Sequence, residues 1–492
     1  MKRVIEWIRK NELLVVLILL GSLLRIPSIF EPGWYGDEGI YLVMGSGFRK
    51  GLLWYREIHD NKPPLLYLLA ALTNSVAYFR ALLLVWMAVT LVVFDKLIKK
   101  LVEKKTWQRV SLVCFLIFTT LPVIEGNIAN AEIFMILPTI LGVSLLIDGW
   151  SKKIAKWKYV LAGMMFSVAF LFKVPALFEF LGLGFFFIVL ANKNLKEMFA
   201  SLKQVRWWLV LGGFLFPIVL SLAYYWFKGA GQEYLVAAFL QNIGYLSSWR
   251  TGSITKSGAS TQSGLAIRGL ILFLIMAVFF FKAKKLNWKY KLVWTWTWFA
   301  LFGALLSERP YPHYLLQVVA SGSLLIGMSA EKIKRVWWTV MVFAVVVLSI
   351  FKYKFYFFPT FSYYSKFVKM VGGRLSYDEY ADSFDWRVKR TRELAAYLKD
   401  MTDPGERIFI WGDEPFVYFE SDTLPVGRYT VAYHVIDFEA IEHTAELLLS
   451  EKPRIIVRMT SEKRRFDQLE GILVDNYALV EEISDARIYL RH

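Results

Sequence analysis

The sequence predicts a polytopic α-helical membrane protein with a small α/β domain at its carboxyl end, and three observations carry that prediction. Of the 492 residues, 56% are hydrophobic and 17% aromatic, which is more apolar surface than one water-soluble core hides. The apolar residues come in runs of about 20, the length that crosses a bilayer as a helix. Lysine and arginine gather in short clusters at every second gap between the runs, as in loops that fix topology. The formal charge of +17 therefore reads as membrane orientation, and nucleic acid is excluded as a partner. The single cysteine, Cys114, lies in an apolar run and supplies neither a disulfide framework nor a metal motif.

About eleven transmembrane helices are expected, near 11–30, 80–98, 107–124, 131–148, 158–173, 174–191, 207–228, 265–282, 291–306, 313–330 and 336–357. The first lacks a cleavage site and reads as an uncleaved span. Basic clusters before span one, between Lys96 and Arg109, at Lys152 to Lys158, at Lys193 to Arg206, at Lys282 to Lys291 and at Lys332 to Arg335 place those loops and the N-terminus in the cytoplasm. The apolar stretch 63–79 breaks this alternation if it spans. It is expected instead as a juxtamembrane or re-entrant helix in the outer loop 31–79, with Asn61 and two prolines at its start. The domain division is thus 1–357 for the membrane domain, with juxtamembrane helices in the outer loop 31–79, and 358–492 for an extracytoplasmic α/β domain. In the latter, "ERIFIWGDEPFVYF", "PRIIVRM" and "ARIYLRH" read as strands, alternating with helical patterns near 385–401, 438–450 and 462–477.

Charges of mixed sign collect on the outer side of this topology. Asp37 and Glu38 follow span one, with His59, Asp60 and Lys62 in the same loop. Glu125, Asn127, Asn130 and Glu132 lie between spans three and four, Lys173 between five and six, and Glu308, Arg309 and His313 between nine and ten. Each has an ordinary explanation taken singly: a solvated pair, a snorkelling lysine, a carboxylate favoured by a helix dipole, a satisfied histidine. Their joint occurrence on one face argues for a site. Carboxylates beside cations at a membrane edge suit a phosphate-bearing lipid, with cations on the phosphate and a carboxylate as base or metal ligand. Glu179 reads either as a partner for a cation inside the bundle or as a further member of the site. The long outer loop 228–264, with Tyr245, Trp249 and Arg250, is a candidate lid or a plain connector.

"YGDEGIY", "DNKPPLLY", an acidic second outer loop, "LFKVPAL" and "RPYPHY" occur in that order over residues 1–357. The set resembles the C-type glycosyltransferase superfamily, in particular the branch of protein O-mannosyltransferases and lipid A aminoarabinose transferases. The resemblance implies the C-type glycosyltransferase fold and an enzyme moving a monosaccharide from a polyprenyl-phosphate donor to an acceptor hydroxyl at the outer membrane face, with inversion. It makes Asp37 the catalytic carboxylate with Glu38 beside it, and assigns Lys62, Lys173, Arg309 and His313 to the donor phosphate. Glu132, or Glu125, becomes the second-loop acid. A divalent cation, Mg or Mn, held by Asp37 and Glu132 is the expected cofactor if burial does not raise the base. No β-trefoil segment is present, so the acceptor is left open among glycan, lipid and protein. The location expected is a prokaryotic plasma membrane. The competing readings are a transporter or flippase of lipid-linked sugars, which predicts charges deep in broken spans, and a glycan-sensing scaffold.

Overall fold

The computed structural model describes the chain except residues 1–5, 7, 153, 193, 242–257, 284 and 308, and except the side chains of 195, 258–266, 333 and 334. Each of the eleven expected spans falls on a helix, from Glu12–Ile29 and Val76–Leu101 through Trp288–Ala304 to Leu316–Ala330 and Ile333–Tyr353. Among the described residues, six helices are long and apolar enough to cross a membrane. The chain is a membrane protein. Lys105–Thr120, Lys156–Phe172 and Trp288–Ala304 are shorter, at 16, 17 and 17 residues. The count of eleven crossings is therefore an expectation from charge pattern and not from helix length.

The chain divides into two compact units that interleave along the sequence. The first comprises 1–26, 81–223 and 239–363; the second comprises 27–80, 224–238 and 364–492. Among its described residues the first unit is helical, and its core is aromatic: Trp294 and Trp296 on the helix Trp288–Ala304 are fully buried.

The second unit contains two helices within the loop 31–79. Gly36–Arg49 is helical, with Asp37 and Glu38 in its first turn and Ile40 to Gly47 buried. The expected outer helix is present as Leu65–Ala71, only about 10 Å long at 1.5 Å per residue, too short to span. Gly45 sits where an added Cβ would lie 2.7 Å from the Ala70 carbonyl carbon, so these two helices touch backbone to backbone. Gly39 takes the ring of Phe416, which packs from the helix Pro415–Glu420.

A five-stranded sheet completes this unit, in the order β2-β1-β3-β5-β4, with β1 Arg407–Trp411, β2 Leu424–Pro425, β3 Ile455–Met459, β4 Tyr477–Ile483 and β5 Ala486–Arg491. β1 pairs in parallel with β2 and β3, whereas β5 pairs antiparallel with β3 and β4. The β-branched and aromatic runs of β1 and β3 suit this buried centre. Phe409, Trp411 and Ile456 pack with Leu469 and Leu473 of the helix Asp467–Asn476. One correction concerns "FVYF". It belongs to the helix Pro415–Glu420, started by a proline at its first position, and not to a strand.

Candidate functional site

The second unit builds its charged cluster from three pieces of the loop 27–80. Asp37, in the first turn of Gly36–Arg49, receives a hydrogen bond at Oδ2 from the Tyr41 hydroxyl one turn later (2.8 Å). Lys62 Nζ lies 3.5 Å from Asp37 Oδ2 and 3.6 Å from Asp60 Oδ2, and 4.9 Å above the Tyr41 ring. The Lys62 main chain is clamped on both sides. Its N–H donates to the Tyr67 hydroxyl (2.9 Å), and its carbonyl accepts from the Tyr55 hydroxyl (3.0 Å). Tyr67 in turn donates to Asp60 Oδ2 (2.8 Å). Burial, and then Asp60, push the Tyr67 phenol up, so it stays a donor. Of the two carboxylates beside the lysine, the Asp37 side chain is 37% exposed and that of Asp60 1%.

Glu38 has a different environment. Its carboxylate accepts from Arg80 Nε (3.1 Å) and Nη2 (2.5 Å), a two-pronged pair. Arg80 Nη1 also donates to the Ser28 carbonyl (3.0 Å) and contacts Glu31 Oε2 at 2.5 Å. Glu31 accepts from the Trp34 indole as well (2.7 Å). The side chains of Arg80, Glu31 and Glu38 are wholly buried.

His59 and His434 close the other side of Asp60. The His59 main-chain N–H donates to the Arg428 carbonyl (2.8 Å), and its ring packs on Tyr429, His434 and Phe438. His434 Nε2 is 3.6 Å from Asp60 Oδ1. Burial, with His434 and Arg428 near it, holds His59 well below the usual histidine range. Burial also lowers His434, to about 4, against the opposing pull of Asp60. Both rings are neutral near pH 7.

The first unit holds a second cluster. Glu132, in the first turn of a helix starting at Ala131, forms an ion pair with Lys173 and lies 3.4 Å from His313 Nε2. Glu125 pairs with His313 Nδ1 and accepts from the Tyr356 hydroxyl (2.8 Å). Lys173 Nζ stands 4.2 Å over the Tyr314 ring. Glu125 is fully buried with φ at 60°, a left-handed conformation that costs a non-glycine residue about 1 kcal/mol or more. Its N–H donates to the Pro122 carbonyl (2.8 Å), and His313 and Tyr356 hold its side chain. Arg309 is half-buried on the segment leading to His313. Glu179 accepts from the Trp296 indole (2.5 Å), a neutral donor in place of the cation considered for it.

The structure thus gathers Asp37 and Lys62 in one unit, and Glu125, Glu132, Lys173 and His313 in the other. Asp37 and Glu132, the expected metal ligands, are each beside a lysine, and among the described residues no three His, Cys, Asp or Glu side chains converge as metal ligands. The candidate lid residues Tyr245, Trp249 and Arg250 lie outside the described residues. Asp60, Arg80 and His434 join the cluster without having been assigned a role from the sequence. Only Asp60, within "DNKPP", carried a local signal.

No protein-family model matches the sequence, and no curated protein matches it. Solved structures do. ArnT from Cupriavidus metallidurans in the apo state aligns with a TM-score of 0.57 at 12% identity, over 99% of this chain and 98% of that chain. The same protein bound to undecaprenyl phosphate aligns with a TM-score of 0.56 at 11% identity, over 98% of each. The chain has the C-type glycosyltransferase fold. The fold covers the chain from end to end, so the carboxyl-terminal sheet is included in the alignment. An archaeal oligosaccharyltransferase, AglB from Archaeoglobus fulgidus in complex with an inhibitory peptide and a dolichol-phosphate, aligns with a TM-score of 0.48 at 11% identity, over 99% of this chain and 75% of that chain.

Proposed function

We propose that this chain is an integral-membrane glycosyltransferase that moves a monosaccharide from a polyprenyl-phosphate donor to an acceptor hydroxyl at the outer face of a prokaryotic plasma membrane. The observation that carries the reading is the Asp37–Lys62 pair, a partly exposed carboxylate 3.5 Å from an ammonium, on a membrane chain of this fold. The undecaprenyl phosphate bound by the similarly folded ArnT supports the donor class.

In this reading Asp37 Oδ2 accepts the proton of the acceptor hydroxyl. The hydroxyl oxygen attacks the anomeric carbon from the face opposite the phosphate, and the carbon–oxygen bond to the phosphate breaks with inversion. The electron pair stays on the phosphate oxygen, where Lys62 offsets the charge. Glu38 anchors the helix bearing Asp37 through Arg80. Lys173, Arg309 and His313 keep the anion-binding role that the resemblance gives them, and Glu132, with Glu125, is the carboxylate that balances them. The N-terminus is cytoplasmic, the membrane domain (residues 1–357) carries the chemistry, and 358–492 is extracytoplasmic and positions the acceptor. Any divalent cation would have to displace Lys62 or Lys173 from its carboxylate.

The test is transfer from a panel of radiolabelled polyprenyl-phosphate monosaccharides by purified protein, with supplied glycan, lipid and peptide acceptors, with and without chelator. Wild type transfers one of the sugars, and Asp37→Asn loses about 100-fold or more in kcat while retaining donor binding. An active Asp37→Asn protein overturns the assignment. Translocation of a lipid-linked sugar across vesicles without transfer would favour the transporter.

A further inference from the structure

Lys62 sits between two carboxylates that differ in everything but distance. Asp37 is partly open to solvent and belongs to the helix Gly36–Arg49, whereas Asp60 is sealed, two residues before the lysine. Asp60 Oδ2 takes the Tyr67 hydroxyl, but Asp60 Oδ1 has no hydrogen-bond partner among the described residues and faces His434 Nε2 at 3.6 Å. Both ring nitrogens of His434 and both of His59 are likewise without hydrogen-bond partners among the described residues. A buried carboxylate with one hydrogen bond and uncharged rings beside it calls for a cation nearby, and Lys62 Nζ stands 3.6 Å from it. The lysine main chain is fixed by Tyr55 and Tyr67, so the side chain starts from a set point within reach of Asp60.

We infer that Asp60 is a positioning residue for Lys62: it is the permanent counter-ion that holds the ammonium beside Asp37, so that Asp37 is the carboxylate a lipid phosphate displaces. This rests on the reading of Lys62 as the donor-phosphate lysine. Asp60 touches neither substrate nor reacting atoms in it. Without Asp60 the ammonium is drawn onto Asp37, and an incoming phosphate must break a tighter pair. His434, from the carboxyl-terminal segment, keeps water from Asp60 Oδ1 and so maintains its demand for the lysine.

The experiment uses full-length protein in detergent and undecaprenyl phosphate as the probe. It compares Asp60→Asn, Asp60→Glu, Lys62→Met and the double variant Lys62→Met/Asp60→Asn, by probe binding and by thermal unfolding. Asp60→Asn is expected to weaken binding about tenfold, and Asp60→Glu to restore it to within about threefold of wild type. Lys62→Met loses both binding and stability; adding Asp60→Asn recovers the stability but not the binding, a coupling that independent sites do not show. Unchanged probe binding by Asp60→Asn, or stability losses that simply add, overturns the proposal. Asp60→Glu covers the case in which the Asn variant does not fold. Should wild type bind no undecaprenyl phosphate, the donor reading fails separately, and the stability cycle alone decides whether Asp60 holds Lys62.

Discussion

Arg80 balances Glu31 and Glu38 without solvent contact, so its loss strands two buried carboxylates. Arg80→Met is expected to cost about 3–5 kcal/mol in unfolding experiments in detergent, with some of the loss regained when Glu31→Gln is added. His434 gives a pH signature of opposite origin. Its folded value of about 4 lies below the ordinary histidine value near 6.5, so the unfolded chain takes up more protons between these limits. Stability therefore falls as pH drops from about 6.5 to about 4 and takes no further loss from this group below that. His434→Asn should flatten that slope relative to wild type in pH-dependent thermal unfolding. Asp37 and Lys62 were legible in the sequence because charge beside an apolar run is conspicuous. Arg80 was not, because it reads as the first residue of a span. Its partners lie 42 and 49 positions away, and no local pattern reports such a pairing.

Among the elements, the contact between Gly36–Arg49 and Leu65–Ala71 is set by the absence of a side chain. A Cβ at position 45 would meet main-chain atoms at 2.7 Å, and main chain cannot swing aside. Gly45→Ala is expected to destabilise by about 1–3 kcal/mol, despite alanine's better helix propensity, as read by thermal unfolding. Gly36→Ala, at a position with nothing within 4 Å, is the control. The long apolar helices were readable because composition and length decide them. Helices were expected within 31–79, but the bounds of Gly36–Arg49 were not legible, because glycines and first-turn acids gave it the look of a loop, although Ile40 to Met44 already formed an apolar run. "FVYF" misled in the other direction: aromatic residues favour strands on average, but Pro415 and the fit of Phe416 against Gly39 decided for a helix.

At the scale of the molecule, the second compact unit joins 364–492 to 27–80. Phe416 packs on Gly39, Lys50 pairs with Asp422, and the ring of His59 rests on Tyr429 and Phe438. A chain cut after residue 357 is therefore expected to insert in the membrane yet expose Gly36–Arg49 to limited proteolysis, where the full chain resists. The fold class was legible from hydropathy and charge alone, and so were three of the strands. The interleaving of the units was not, since compactness depends on contacts far apart in the chain, and β2 is two residues long with a proline. The placement of His434 against Asp60 also has a consequence in time. Ser28, Glu31, Glu38 and Arg80 leave the ribosome close together, so the buried guanidinium can be neutralised early in synthesis. Asp60 and Lys62 emerge in the same interval, but the wall that seals them waits until the chain around residue 434 has been made. Until then Asp60 lacks the ring that the finished chain sets 3.6 Å from its Oδ1, so the last neighbour of this carboxylate is also the last to be made.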